Sequence, residues 1–161
     1  MLRLSRLTDY AVVVLVRLSA AEAVQTSCGL AQGTGIPEPT VAKVLKALAA
    51  TGLVVSQRGA HGGYRLARPL ATIAVSEVIA VIDGPIALTA CVEGSGTSCE
   101  SQGFCPMVGR WDPVNSAIRE ALAAITLADM QEAAVPRAFR LPAPPVAAEP
   151  FLADKLLSSH G

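Results

Sequence analysis

The fold turns on Gly33–Arg68, GTGIPEPTVAKVLKALAATGLVVSQRGAHGGYRLAR. Pro37 and Pro39 suit the first turn of a helix, where a missing N–H leaves no bond unmade. From about Glu38 to Thr51, Val41, Val44, Leu45 and Leu48 recur at helical spacing and form one apolar face. Thr40, Lys43 and Lys46 lie off that face, and Gly52 is a natural C-terminal stop. Leu53–Arg58 and Tyr64–Ala67 then read as two short strands. Gly59-Ala60-His61-Gly62-Gly63 makes the tip between them, giving a β-hairpin with a basic edge.

Upstream, residues 6–22 predict a first helix, with Leu7, Ala11, Val14, Leu15 and Leu18 on one face. Arg3 and Arg6 before an apolar run imitate a secretory leader. Asp9 and Arg17 bracket that run, however, and it is too short to span a bilayer. The segment is therefore expected to be mature structure in a cytoplasmic protein. Val24–Ser27 breaks the helix. Ser27 is placed to cap a short second helix over Cys28–Gly33, and Ile36-Pro37 turns into the third. Three helices followed by a hairpin are the order of a winged helix-turn-helix.

Downstream, residues 76–83 (SEVIAVID) predict a fourth helix, capped by Ser76 and stopped by Gly84-Pro85. Pro113 opens another that runs to about Met130. Its apolar positions Val114, Ile118, Ala121, Ile125 and Ala128 form a narrow seam, suited to a dimer partner or to the monomer's own core. From Val135 the chain turns to proline and alanine, and residues 133–161 are expected to be a disordered tail. The fold class expected is thus mainly α. A winged helix-turn-helix domain spans 1–70, a connecting helix and linker 71–90, a cysteine-rich loop 91–105, and a long C-terminal helix 111–132.

The net charge of the 161-residue chain is zero, but it is unevenly spread. Residues 1–68 carry eight basic and three acidic side chains, and the remainder carries five basic and ten acidic. A basic winged domain on a neutral chain points to a polyanion, and here to double-stranded DNA. The third helix would enter the major groove with Pro39, Thr40 and Lys43 nearest base edges, and Lys46 at phosphate. Arg58, with His61 and the Gly62 backbone beside it, would reach a groove from the wing. Ser27 and the N–H groups that start the second helix could hold a phosphate. No constellation of an enzyme is present: no phosphate-binding glycine loop ends in Lys-Ser/Thr, and no Ser/His/Asp set has catalytic spacing. No small-molecule substrate or membrane partner is expected.

Cys91–Cys105, CVEGSGTSCESQGFC, places Cys91, Cys99 and Cys105 among small turn-forming residues. Three thiolates on such a loop suit a soft metal or an iron–sulfur cluster, and the C-x2-C knuckles usual at structural zinc are missing. A redox disulfide or idle thiols fit the spacing as well. Any centre needs a fourth ligand, and Glu93, Glu100 and Asp112 are the local carboxylates. Cys28, alone at the second helix, reads as a small buried residue.

LTDYAV (Leu7–Val12), RGAHGGYRLAR (Arg58–Arg68), SEVIAVIDGP (Ser76–Pro85), the three cysteines and WDPVNSAIREALAAITLADM (Trp111–Met130) together resemble one family. The chain is similar over residues 1–130 to the iron–sulfur winged-helix regulators typified by IscR and NsrR. It most resembles the branch that regulates the SUF iron–sulfur assembly operon. The resemblance implies a homodimer joined through the long C-terminal helix. It implies a [2Fe–2S] or [4Fe–4S] cluster on Cys91, Cys99 and Cys105, and a repressor or dual regulator that reads cluster status and binds a near-palindromic operator. In the IscR branch a histidine follows the third cysteine by three positions; Val108 stands there. Other branches complete the site with an acidic residue of the first helix, which maps to Asp9 and could come from the partner subunit. Two alternatives stand beside this reading: a thiol–disulfide switch on the same DNA-binding module, and a zinc-dependent interaction protein.

Overall fold

In the computed structural model, described over residues 4–92, 94–96 and 103–132, the chain opens with α1, Arg6–Ser19. Ser5 caps it, its hydroxyl accepting the Thr8 N–H. Ala11, Val14, Leu15 and Leu18 are buried as the periodicity predicts, and Leu7 packs against them half-buried. The helix ends three residues short of the expected bound.

α2 spans Ser27–Thr34, one residue earlier than predicted, so Ser27 is already helical and does not cap. Thr26 does, through extended backbone and a 3.0 Å bond accepted from the Gly29 N–H. Gly35, with φ +72°, ends α2 in the left-handed conformation that glycine adopts without a Cβ penalty. α3, Glu38–Ala50, buries Val41, Val44, Leu45 and Leu48, the predicted face.

β1 (Val54–Gln57) and β2 (Gly63–Leu66) pair antiparallel, Val54 opposite Leu66 and Gln57 opposite Gly63. A further bridge joins Gln25, just ahead of α2, to Tyr64 through bonds of 2.9 and 2.8 Å. A Cβ on Gly63 would sit 2.6 Å from the Gln25 carbonyl oxygen, and one on Gly62 would sit 2.6 Å from that of Gln57. The paired glycines are therefore required by backbone approach: the wing is sealed to the entry of α2.

A 3-10 turn at Leu70–Thr72 leads into α4, Val75–Asp83. Ser76 was expected to cap α4, but Ala74 stands at that position and offers no side-chain bond. The Val75 N–H is instead satisfied by the Ile125 carbonyl at 2.9 Å, and Leu127 N–H bonds Ile73 O at 2.9 Å. The same pairing corrects the predicted unbroken helix to Met130. α5 covers Asp112–Ala123, the chain runs extended through Thr126 to bridge Ala74, and α6 covers Leu127–Gln131. Thr126 and Asp129 close a capping box on the new helix.

One core takes side chains from α1 to α4 and from Leu70 and Ile73, and Leu127 of α6 is fully buried in it. The winged architecture expected from the sequence is present: a mainly helical fold with a two-stranded wing. Residues 133–161 lie outside the described residues.

Candidate nucleic-acid interface and cysteine loop

Two helix starts meet at the proposed reading face. The Ser27 hydroxyl donates to Glu38 Oε1 at 3.1 Å, tying the first turn of α2 to the first residue of α3. Pro39 is exposed beside it and Thr40 half-buried, its N–H bonded to Pro37 O at 2.9 Å. Lys43 and Lys46 project from the exposed side of α3. Neither lysine, nor Arg58, meets an ion-pair partner among the described residues. At the wing tip Arg58 and His61 are exposed, and the Gly62 N–H closes the turn onto Gly59 O at 2.9 Å. Arg68 does not belong to this face. It pairs with Glu77 and also donates to the Thr72 carbonyl, so its charge is spent in the fold.

Cys28 was expected to be buried and is exposed, with Gln32 Nε2 donating toward its sulfur at 3.5 Å. α2 is only two turns long and buries one side, at Leu30 with Ala31 beside it, and Cys28 falls on the opposite, exposed side with Gln32.

Cys91 and Cys105 are free thiols, both half-buried. Thr89 Oγ1 lies 3.2 Å from the Cys91 sulfur. Ser95 Oγ donates to Ala90 O at 2.9 Å, and Gly94 and Gly96 turn the backbone with φ of +78° and +71°. Cys99, Glu93 and Glu100 lie outside the described residues. The loop's approach is fixed by Asn115 of α5, which is 2% exposed. Its Nδ2 donates to Ile86 O at 3.1 Å and its Oδ1 accepts from Leu88 N–H at 3.0 Å. Sequence reasoning passed over Asn115, because a polar residue interrupting an apolar seam carries no periodic signal.

Asp9 is exposed on α1 and shares an open groove with Val12, Val13 and Val16, and with Met130 and Gln131 of α6. Among the described residues no three His, Cys, Asp or Glu side chains assemble into a metal-binding group, so Asp9, Cys91 and Cys105 do not converge within one chain. The thiol donors suit iron and sulfide chemically, but the described side chains do not by themselves form a finished site.

The step from α4 into the loop is held at Asp83, the last residue of the helix. Its Oδ2 accepts the Ser5 N–H at 3.1 Å and the Thr8 hydroxyl at 2.9 Å. Partial burial pushes this carboxyl up, but the bonds from the Ser5 hydroxyl and N–H and from Thr8 outweigh it and hold it below the usual aspartate value.

Between the loop and the start of α5 the chain exposes Phe104 (98%), Met107, Val108, Trp111 and Val114. No helix among the described residues is long and apolar enough to cross a membrane.

A model of the Rrf2 family, described as iron-dependent transcriptional regulators, matches residues 4–133. The chain is 34% identical over 137 residues to Rv1287 of Mycobacterium tuberculosis, named as an HTH-type transcriptional regulator, covering 84% of each chain. Among solved structures it is similar to IscR of T. potens (TM-score 0.60, 30% identity, 82% of this chain and 88% of that one). It is also similar to CymR, the global cysteine regulator of B. subtilis (TM-score 0.63, 26% identity, 84% of this chain and all of that one).

Proposed function

Since the chain belongs to the Rrf2 family of transcriptional regulators, we propose that it is a cytoplasmic, homodimeric repressor that reads an iron–sulfur cluster on Cys91, Cys99 and Cys105. Its target genes on this reading are those of SUF-type iron–sulfur assembly, and its operator is near-palindromic. Dimeric winged regulators meet two half-sites a helical turn apart, so any change in the spacing of their reading helices changes operator fit.

The observation that carries the reading is the loop itself: two free, half-buried thiols on glycine-turned backbone, entered from a segment that Asn115 pins at both its donor and its acceptor. When bound, the cluster supplies a labile or redox-responsive centre. The rest is done by side chains of this chain. Asp9 is exposed, does not converge with the cysteines of its own subunit, and would serve as fourth ligand to the loop of the partner. The exposed apolar side chains between Phe104 and Val114 offer that partner a seat. Asp83 ties the end of α4 to the first turn of α1, and Asn115 pins the segment leading from α4 to the loop, so the shape of the loop bears on the placement of α1. The core then carries that placement to α3. Loop state can change affinity only by the difference in operator fit between the two dimer geometries.

A second reading, a thiol–disulfide switch, is favoured by the likeness to a cysteine regulator and by the accessible thiols. Anaerobic purification with iron, sulfide and thiol analysis and an absorption spectrum separates the two. The cluster reading expects coloured protein with matched iron and sulfide, lost in Cys99→Ala and bleached faster in air for Asp9→Ala. Colourless protein that binds operator and loses thiols to peroxide selects the switch. Zinc without sulfide, and no operator binding, overturns both.

A further inference from the structure

Glu38 is an acidic side chain at the start of the helix that a DNA-binding face needs most. It is exposed, and the described residues offer it no cation. Its bonded partner is the Ser27 hydroxyl, 3.1 Å from Oε1, reaching across from the other helix of the helix-turn-helix. Pro37 before it and Pro39 after it restrict the backbone on both sides. The residue is thus held in place rather than left to wave in solvent.

We propose that Glu38 is a base-reading residue, its carboxylate accepting a hydrogen bond from the exocyclic amine of a cytosine in the operator's major groove, with Ser27 as its positioning residue. The inference rests on the reading of α3 as the major-groove helix. N-terminal residues of such a helix lie nearest base edges. There a carboxylate is surrounded by phosphates and costs affinity unless it finds a donor. The major groove offers two donor groups, the amines of cytosine and adenine. Adenine sets an acceptor beside its amine, which suits an amide and repels a carboxylate; cytosine presents the amine without that neighbour. With Oε1 held by Ser27, Oε2 is left for the base. The face would then combine phosphate attraction, as from Lys46, which is blind to sequence, with one acidic residue that penalises every site lacking the right amine.

The blander account is that Glu38 stabilises the start of α3 through the helix dipole. In vitro selection from random duplexes at one fixed salt concentration distinguishes the two, using full-length wild type, Glu38→Ala, Glu38→Gln and Ser27→Ala, each checked for an unchanged melting profile. The proposal expects a cytosine in each half-site of the wild-type motif. Glu38→Ala loses the preference at that position alone, Glu38→Gln moves it toward adenine, and Ser27→Ala weakens it. Replacing the cytosine pair in the selected site should weaken wild type by roughly 5- to 150-fold and the alanine variant far less. An unchanged motif in Glu38→Ala, with affinity either unaltered or raised equally for all sequences, overturns the proposal while leaving the major-groove reading intact. Failure of wild type to enrich any sequence overturns both.

Discussion

One methyl group added at Gly63 would lie 2.6 Å from the Gln25 carbonyl oxygen and 2.9 Å from its carbon. Those are backbone atoms, which cannot swing aside as a side chain can. Gly63→Ala should therefore cost ~1–3 kcal/mol, the range for overpacking, and it should weaken DNA binding because the wing root moves. Urea unfolding and a binding titration together check this. Asp83 gives a second test. Its carboxyl is held below the ordinary aspartate value by donors from Ser5 and Thr8. A group with a depressed native pKa stabilises the fold above its unfolded pKa, near 3.9, and loses that contribution as pH falls through the native value. The urea midpoint should fall between about pH 5 and pH 2, and the fall should be smaller in Asp83→Asn. The sequence marked the Gly62-Gly63 pair as a tip but not why both are glycine. Gly62 is required by the hairpin's own backbone at Gln57 and Gly59, and Gly63 by Gln25, nearly forty residues upstream, a pairing that no local pattern records. Asp83 was read only as the end of a helix, since its partners are likewise remote. Cys28 was misplaced because burial preference is an average over proteins and does not see that a two-turn helix buries a single side.

At the scale of elements, the apolar stripes on α1 and α3 were read correctly, because burial of a face against one core is what periodicity reports. The same rule failed at the C-terminus. The apolar steps through Ile125 and Ala128 suggested an unbroken helix, yet the backbone straightens at Thr126 to pair with Ala74. The local sign was present in Thr126-Leu127-Ala128-Asp129, which has the spacing of a capping box. Thr126→Ala removes the Asp129 N–H acceptor and the hydroxyl donor to Asp129. It should cost about 1 kcal/mol, read as a lower urea midpoint with an unchanged slope.

For the molecule as a whole, the uneven charge was legible, but its use was not. Of the basic residues in the first half, Arg68 is committed to Glu77, whereas Lys43, Lys46 and Arg58 stay unpaired among the described residues. Each lysine that meets a phosphate releases counterions. Lys43→Ala and Lys46→Ala should therefore each flatten the slope of log affinity against log salt by up to about 0.9, measured by titration at several salt concentrations. Arg68→Ala should leave that slope alone and lower stability instead. How the cysteine loop completes a site was not legible, since a ligand drawn from another helix or another subunit leaves no trace in spacing. One feature also bears on how the protein is made. Leu127 is fully buried in the one core that the first four helices share, and it zips to Ile73. A ribosome extends the chain at roughly 5–20 residues per second. The winged region therefore emerges with a gap in its core, and remains so for a time on the order of seconds until Leu127 arrives. A nascent chain stalled short of that residue should stay open to protease, and should close only when synthesis passes it.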